Sequence, residues 1–108
     1  VKPLDRTNLL LQPRDAAGWD VLEAGLQCAS QLLGSDLVAA YAIGSLAHGG
    51  FSPATSDVDL ALILAGCSDS ISATMDAIRG HVRTRLGTPL SARLSLFWST
   101  WEQLRAAS

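Results

Sequence analysis

Two acidic residues, Asp57 and Asp59, open the apolar run DVDLALIL. Side chains alternate along a strand, so both carboxylates leave one face of it. Two carboxylates on one face can hold a Mg²⁺ ion, or bridge two, while phosphate oxygens supply the remaining ligands. The bland reading is a pair of solvated residues at a strand edge, or Asp57 as a turn residue after Ser56. Against it, neighbouring like charges repel, and a counter-cation relieves them. Upstream, a second apolar run, LVAAYAI, stops at Gly44-Ser45. Gly44 has no side chain, so a phosphate can come close to its backbone N–H. Ser45 adds a hydroxyl donor, and a helical turn beginning there adds unpaired N–H groups that favour an anion. Taken alone, Gly44-Ser45 reads first as a turn with a helix cap. Ser56 reads as a locally hydrogen-bonded turn residue, with phosphate contact as a second role. Taken together, these residues fit transfer of a phosphoryl-containing group from a triphosphate, which needs charge neutralisation and positioning.

The elements that must position them follow from periodicity. From about Ala16, Trp19, Leu22, Leu26, Ala29 and Leu33 recur at helical steps and form one apolar stripe, ended by Gly34. Leu37 to Ile43 predicts a buried strand, and Asp57 to Leu64 a second. Ile71, Met75, Ile78, Val82 and Leu86 predict a second amphipathic helix, stopped by Gly87 and Pro89. Ser91 to Trp98 alternates as a third strand, with Ala92, Leu94, Leu96 and Trp98 on one face. Ser99-Thr100-Trp101-Glu102 has the form of a capping box and opens a last helix. The link between the first two strands is too short for a crossover, so they run antiparallel and bring Ser45 beside Asp57. The helical link to the third strand makes that pair parallel. The expected fold is α/β (α+β): a small mixed β-sheet with helices packed on it, in one domain over residues 1–108.

The segment Tyr41–Leu64, YAIGSLAHGGFSPATSDVDLALIL, resembles the signature of the DNA polymerase beta-like nucleotidyltransferase superfamily. The shared pattern is a strand, Gly-Ser, a glycine-containing loop and Asp-x-Asp opening the next strand. Within it, the chain is similar to aminoglycoside adenylyltransferases and to minimal stand-alone nucleotidyltransferase domains. The resemblance implies that Gly44 and Ser45 bind a nucleoside triphosphate, that Asp57 and Asp59 hold Mg²⁺, and that a nucleotidyl group is transferred to a hydroxyl. AMP from ATP is the expected donation, to a small molecule or a protein. The superfamily usually carries a third carboxylate on the next strand, often as general base. SARLSLFW has none, and strand parity nominates Arg93 for its place, with Ser91 or Ser95 as register alternatives. That departure implies slow or absent transfer, and a rival reading as a catalytically weakened nucleotide-binding or partner-binding module. Larger relatives add a helical domain, so the chain is expected either to be the N-terminal part of something longer or to work with a separate partner.

The composition narrows the remaining classes. Hydrophobic residues are 48% of the chain and charged residues 17%, which excludes a disordered protein. Net charge is −2 and the arginines are scattered, so nucleic acid is disfavoured as a partner. No apolar run approaches the roughly 20 residues of a membrane helix. Two cysteines, Cys28 and Cys67, suit reduced thiols in a cytoplasmic protein rather than a disulfide framework or zinc site. His48 and His81 read as solvated, Glu102 as a cap, and Trp19, Trp98 and Trp101 as core or interface. Leu9, Leu10 and Leu11, with Trp101 and Leu104, are candidates for an apolar patch covered by a homodimer or a partner domain.

Overall fold

The computed structural model describes residues 2–3, 16–66 and 69–107. Leu9, Leu10, Leu11, Pro13 and Cys67 lie outside them. The elements in chain order are β1 (Lys2–Pro3), α1 (Ala16–Leu33), β2 (Leu37–Ile43), α2 (Ser45–His48), β3 (Val58–Leu64), α3 (Ile71–Leu86), β4 (Leu94–Thr100) and α4 (Trp101–Ala107). Short 3₁₀ turns at Gly34–Asp36 and Leu90–Arg93 precede β2 and β4. The architecture is α+β. Three seven-residue strands form a mixed sheet in the order β2-β3-β4, and β1 adds a two-residue strip outside β2. β2 and β3 are antiparallel, and β3 and β4 are parallel.

The helices begin and end where local chemistry dictates. Beyond α1, Gly34 takes a φ of 56°, and Gly87 ends α3 in the left-handed conformation, its N–H bonded to the Arg83 carbonyl at 2.9 Å. Ile71, Met75, Ile78 and Val82 are buried along α3 as the periodicity predicts. In α1, Trp19, Leu22 and Ala29 are buried, and Leu26 and Leu33 are half-buried. Val58, Leu60, Leu62 and Leu64 of β3 point into the same core cluster as Trp19, Leu22, Ile78, Val82 and Leu94. α1 comes close to the sheet at Gly25, where an added Cβ would stand 3.2 Å from Leu60 and 3.3 Å from Leu94.

The start of the third strand differs from the sequence reading. Ser91, Ala92 and Arg93 belong to the 3₁₀ turn, and the strand begins at Leu94. The reason is local hydrogen bonding, which competes with the strand ladder. The Ser91 hydroxyl donates to the Thr88 carbonyl at 2.6 Å, and the Ser91 N–H reaches Thr88 Oγ1 at 3.2 Å. Ser91 is thereby buried with its hydroxyl satisfied. The capping box is displaced by one residue. Thr100 Oγ1 accepts the Gln103 N–H and Gln103 Oε1 accepts the Thr100 N–H, both at 3.0 Å. Ser99 and Glu102 do not form it; Thr100 and Gln103 satisfy the same S/T-x-x-E/Q rule. Trp98 sits on the edge strand and remains 37% exposed, and Trp101 is also exposed.

Candidate functional site

The site forms where β2 stops and β3 starts. Antiparallel pairing places Ile43 opposite Asp59. The chain then turns at Gly44, with φ 73° and ψ −155°, before Ser45 opens α2. Only glycine adopts that backbone conformation without strain. A Cβ on Gly44 would overlap the Asp59 carboxylate, lying within contact of Oδ2 and 3.3 Å from Cγ. The Asp59 carboxylate therefore rests directly against the Gly44 backbone. Glycine serves two needs at this point, the positive φ and the close approach.

Asp59 lies on the sheet face opposite the core, since its neighbours Val58 and Leu60 are buried on the other side. Asp57 precedes the strand and is exposed. Partial burial pushes the Asp59 pKa up, and the Asp57 charge adds to the shift. The Asp57 charge is thus felt at Asp59, as the Asp-x-Asp spacing predicts.

The loop between α2 and β3 is built on a residue that sequence reading passed over. Phe51 is buried to 3% exposure. It packs against Gly18 of α1, where an added Cβ would stand 2.8 Å from the Phe51 ring and 3.0 Å from Leu46. The signal was present as a lone aromatic amid glycine, serine and proline, but helical or strand periodicity does not reach a loop. A turn follows. Ser56 donates its N–H to the Ser52 carbonyl at 2.8 Å, and its hydroxyl oxygen accepts the Ser52 N–H at 3.0 Å. Ser56 therefore has the local turn role. The Arg93 guanidinium donates to the Pro53 carbonyl and ties this loop to the turn before β4.

That bond also corrects the expected place of Arg93. In the parallel register Ser95, not Arg93, stands beside Asp59. Arg93 lies before the strand, so strand parity does not govern its direction. Among the described residues, no group of three or more His, Cys, Asp or Glu side chains is placed to hold a metal ion. The carboxylate pair is what the described chain offers at this edge. His48 lies in α2, and its side chain is outside what is described; His81 is exposed on α3. Cys28 is a buried free thiol whose pKa is raised by burial. Among the described residues no helix is long and apolar enough to cross a membrane.

No family model, no curated protein and no solved structure matches this chain.

Proposed function

We propose that the chain is a Mg²⁺-dependent nucleotidyltransferase domain, which binds a nucleoside triphosphate at the β2–β3 edge and donates a nucleotidyl group, AMP from ATP, to a hydroxyl of a small molecule or protein; the new ester bond to the α-phosphorus replaces the α–β phosphoanhydride bond, pyrophosphate leaves, and the hydroxyl gives up its proton. The observation that carries this reading is the packing of the Asp59 carboxylate against Gly44, with the Asp57 charge felt there, at the point where Ser45 begins a helical turn. The donor set suits the metal. Mg²⁺ takes hard oxygen ligands and is commonly bound by one or two carboxylates plus substrate phosphates, and Asp59 carries a destabilised charge that a cation would neutralise. Asp57 and Asp59 would hold it. Bound there, the ion would neutralise phosphate charge in the transition state.

The chain's own groups do the rest. Gly44 lets the Asp59 carboxylate pack against the turn, and the Ser45 hydroxyl donates a hydrogen bond to a phosphate that the cation would hold there. The Phe51 anchor and the Arg93–Pro53 bond hold the loop that delivers Asp57. Ser56 supports that loop through Ser52, and its phosphate contact belongs to this proposal only as a second role. A cytoplasmic setting goes with this reading, because nucleoside triphosphates are abundant there and Cys28 is a buried free thiol.

One observation favours a second reading. Ser95 occupies the position beside Asp59 on the next strand. A serine hydroxyl is a poor proton acceptor near neutral pH, so the obvious general base for the acceptor hydroxyl is missing. General-base help is worth about 10²–10⁴-fold in rate. The alternative is therefore a nucleotide-binding or partner-binding module with weak or no transfer. An assay with α-labelled ATP, Mg²⁺ and a panel of hydroxyl acceptors separates the two. Label transfer that disappears in Asp59→Asn supports the enzyme. Mg²⁺-dependent binding without transfer supports the module, and neither result contradicts the site. Absence of both rejects it.

A further inference from the structure

Among the described residues no strand pairs with the outer edge of β4, and the strand itself lacks the features that normally keep a sheet edge unpaired. Edge strands are usually guarded by a charge, a proline or a bulge. Leu94–Thr100, LSLFWST, contains no charged residue and no proline, and it pairs with β3 in unbroken register over all seven residues. The opposite edge differs. There β2 carries an irregularity between Leu37 and Ala39, and β1 covers Tyr41 and Ala42. Large apolar groups flank the β4 edge on both sides of the sheet. Phe97 is 51% exposed on the Asp59 face, and Trp98 is exposed on the core face. Trp101 follows at the start of α4, also exposed.

We propose that β4 pairs antiparallel with β4 of a second copy of this chain, about a two-fold axis through Phe97, making one continuous sheet. The sequence of the strand is self-complementary in that register. Residues directly opposite in an antiparallel pair lie on the same face, and a two-fold axis perpendicular to the sheet preserves faces. Phe97 is the midpoint of Leu94–Thr100, so centring on it gives the longest overlap. Phe97 then meets its own counterpart, Leu96 meets Trp98, Ser95 meets Ser99, and Leu94 meets Thr100. The Phe97, Leu96–Trp98 and Ser95–Ser99 pairs are of the aromatic, apolar and hydroxyl kinds that favour strand pairing, and Leu94 and Thr100 are already buried in their own copy. A charged residue near the axis would face its own like charge, and none of the seven is charged.

The area suffices for a weak dimer. The Phe97 and Trp98 side chains, of about 150–250 Å² each and roughly half exposed, offer on the order of 200 Å² of apolar surface per copy. The edge backbone and the serine side chains add to it, toward the roughly 600 Å² per partner at the low end of specific interfaces. The pairing puts both Asp59 faces on one side of the joined sheet. It also brings Ser99 of the second copy beside Ser95, next to the position that adjoins Asp59. The proposal does not depend on nucleotide binding.

Sedimentation equilibrium of the chain from about 5 to 200 µM tests it, with the expected mass moving from monomer to dimer across that range. Phe97→Lys sets two ammonium groups face to face and weakens association by roughly 100-fold, with an unchanged far-ultraviolet circular dichroism spectrum. Should that variant not fold, Phe97→Cys in a Cys67→Ser chain gives a second reading. A short bis-maleimide captures it as a covalent dimer, because the axis places position 97 opposite itself. A chain that stays monomeric at 200 µM overturns the proposal and leaves the edge to a strand of some other polypeptide. A dimer that survives Phe97→Lys and resists capture through Phe97→Cys overturns it too.

Discussion

The Asp59 carboxylate lies where the side chain of any other residue at position 44 would begin. This relationship joins the end of β2 to the start of β3, the edge at which we propose that a cation and a phosphate meet. Gly44→Ala therefore carries two penalties. The backbone conformation at φ 73° and ψ −155° is costly for a residue with a Cβ, by about 1–3 kcal/mol. The new methyl also displaces Asp59. The expected outcome is a lower urea midpoint together with weakened Mg²⁺-ATP binding. Gly34→Ala is the control, because it also has positive φ but an added Cβ there meets nothing within 4 Å. It should lose stability without losing nucleotide affinity.

Asp59 should make the apo protein less stable at neutral pH. Its pKa is raised, by burial first and by Asp57 second. A carboxyl with a raised folded pKa binds protons more readily folded than unfolded. Its stabilising contribution is complete below the unfolded carboxylate range and is lost as pH rises through the folded pKa. Asp59→Asn should accordingly raise the thermal midpoint at pH 7, and the gain should shrink as pH falls through the carboxylate range. Mg²⁺ should stabilise the wild type and not the variant. Thermal melts at several pH values, with and without Mg²⁺, read both effects. A variant less stable than wild type at pH 7 would contradict this description of the carboxylate.

The register of β3 with β4 separates two positions that alternation alone confuses. Ser95→Asp puts a carboxylate beside Asp59 and should tighten Mg²⁺ binding, with any transfer activity rising by an amount within the ~10²–10⁴-fold range of general-base catalysis. Arg93→Asp cannot do so. It breaks the bond to the Pro53 carbonyl and loosens the loop leading to Asp57, so it should weaken Mg²⁺-ATP binding. A metal gain from Arg93→Asp and none from Ser95→Asp would reverse the assignment.

The ordered elements were legible where periodicity is strong and breakers are sharp. LVAAYAI gave β2 at its observed bounds, and the Ile71–Leu86 stripe with Gly87 gave α3. Antiparallel and parallel pairings followed from the lengths of the two links. The alternation of SARLSLFW hid the 3₁₀ turn, because Ser91 satisfies itself on Thr88 rather than on a strand. That displacement of the strand start carried the error from Ser95 to Arg93. Gly44, Ser45, Asp57 and Asp59 were visible as residue types at a spacing. The contact between Gly44 and Asp59 was not, since it depends on strand register as well as turn geometry. Phe51 was missed because loops carry no period to read.

The observed capping box offers a check that is independent of function. Thr100→Ala removes the acceptor for the Gln103 N–H and should cost about 1 kcal/mol. Ser99→Ala should cost less, because Ser99 does not cap α4. Equilibrium denaturation of the two variants measures the difference, and a larger loss from Ser99→Ala would return the cap to the sequence-predicted position.

The central claim is that Asp57 and Asp59 hold a metal that brings a triphosphate to Gly44 and Ser45. Isothermal titration calorimetry with ATP, with and without Mg²⁺, on the wild type and on the Asp57→Asn, Asp59→Asn double variant tests it most directly. The account predicts binding that requires Mg²⁺ and is lost in the double variant, while the variant's circular dichroism stays native. Binding of equal strength without Mg²⁺, or retained in the folded double variant, would contradict it.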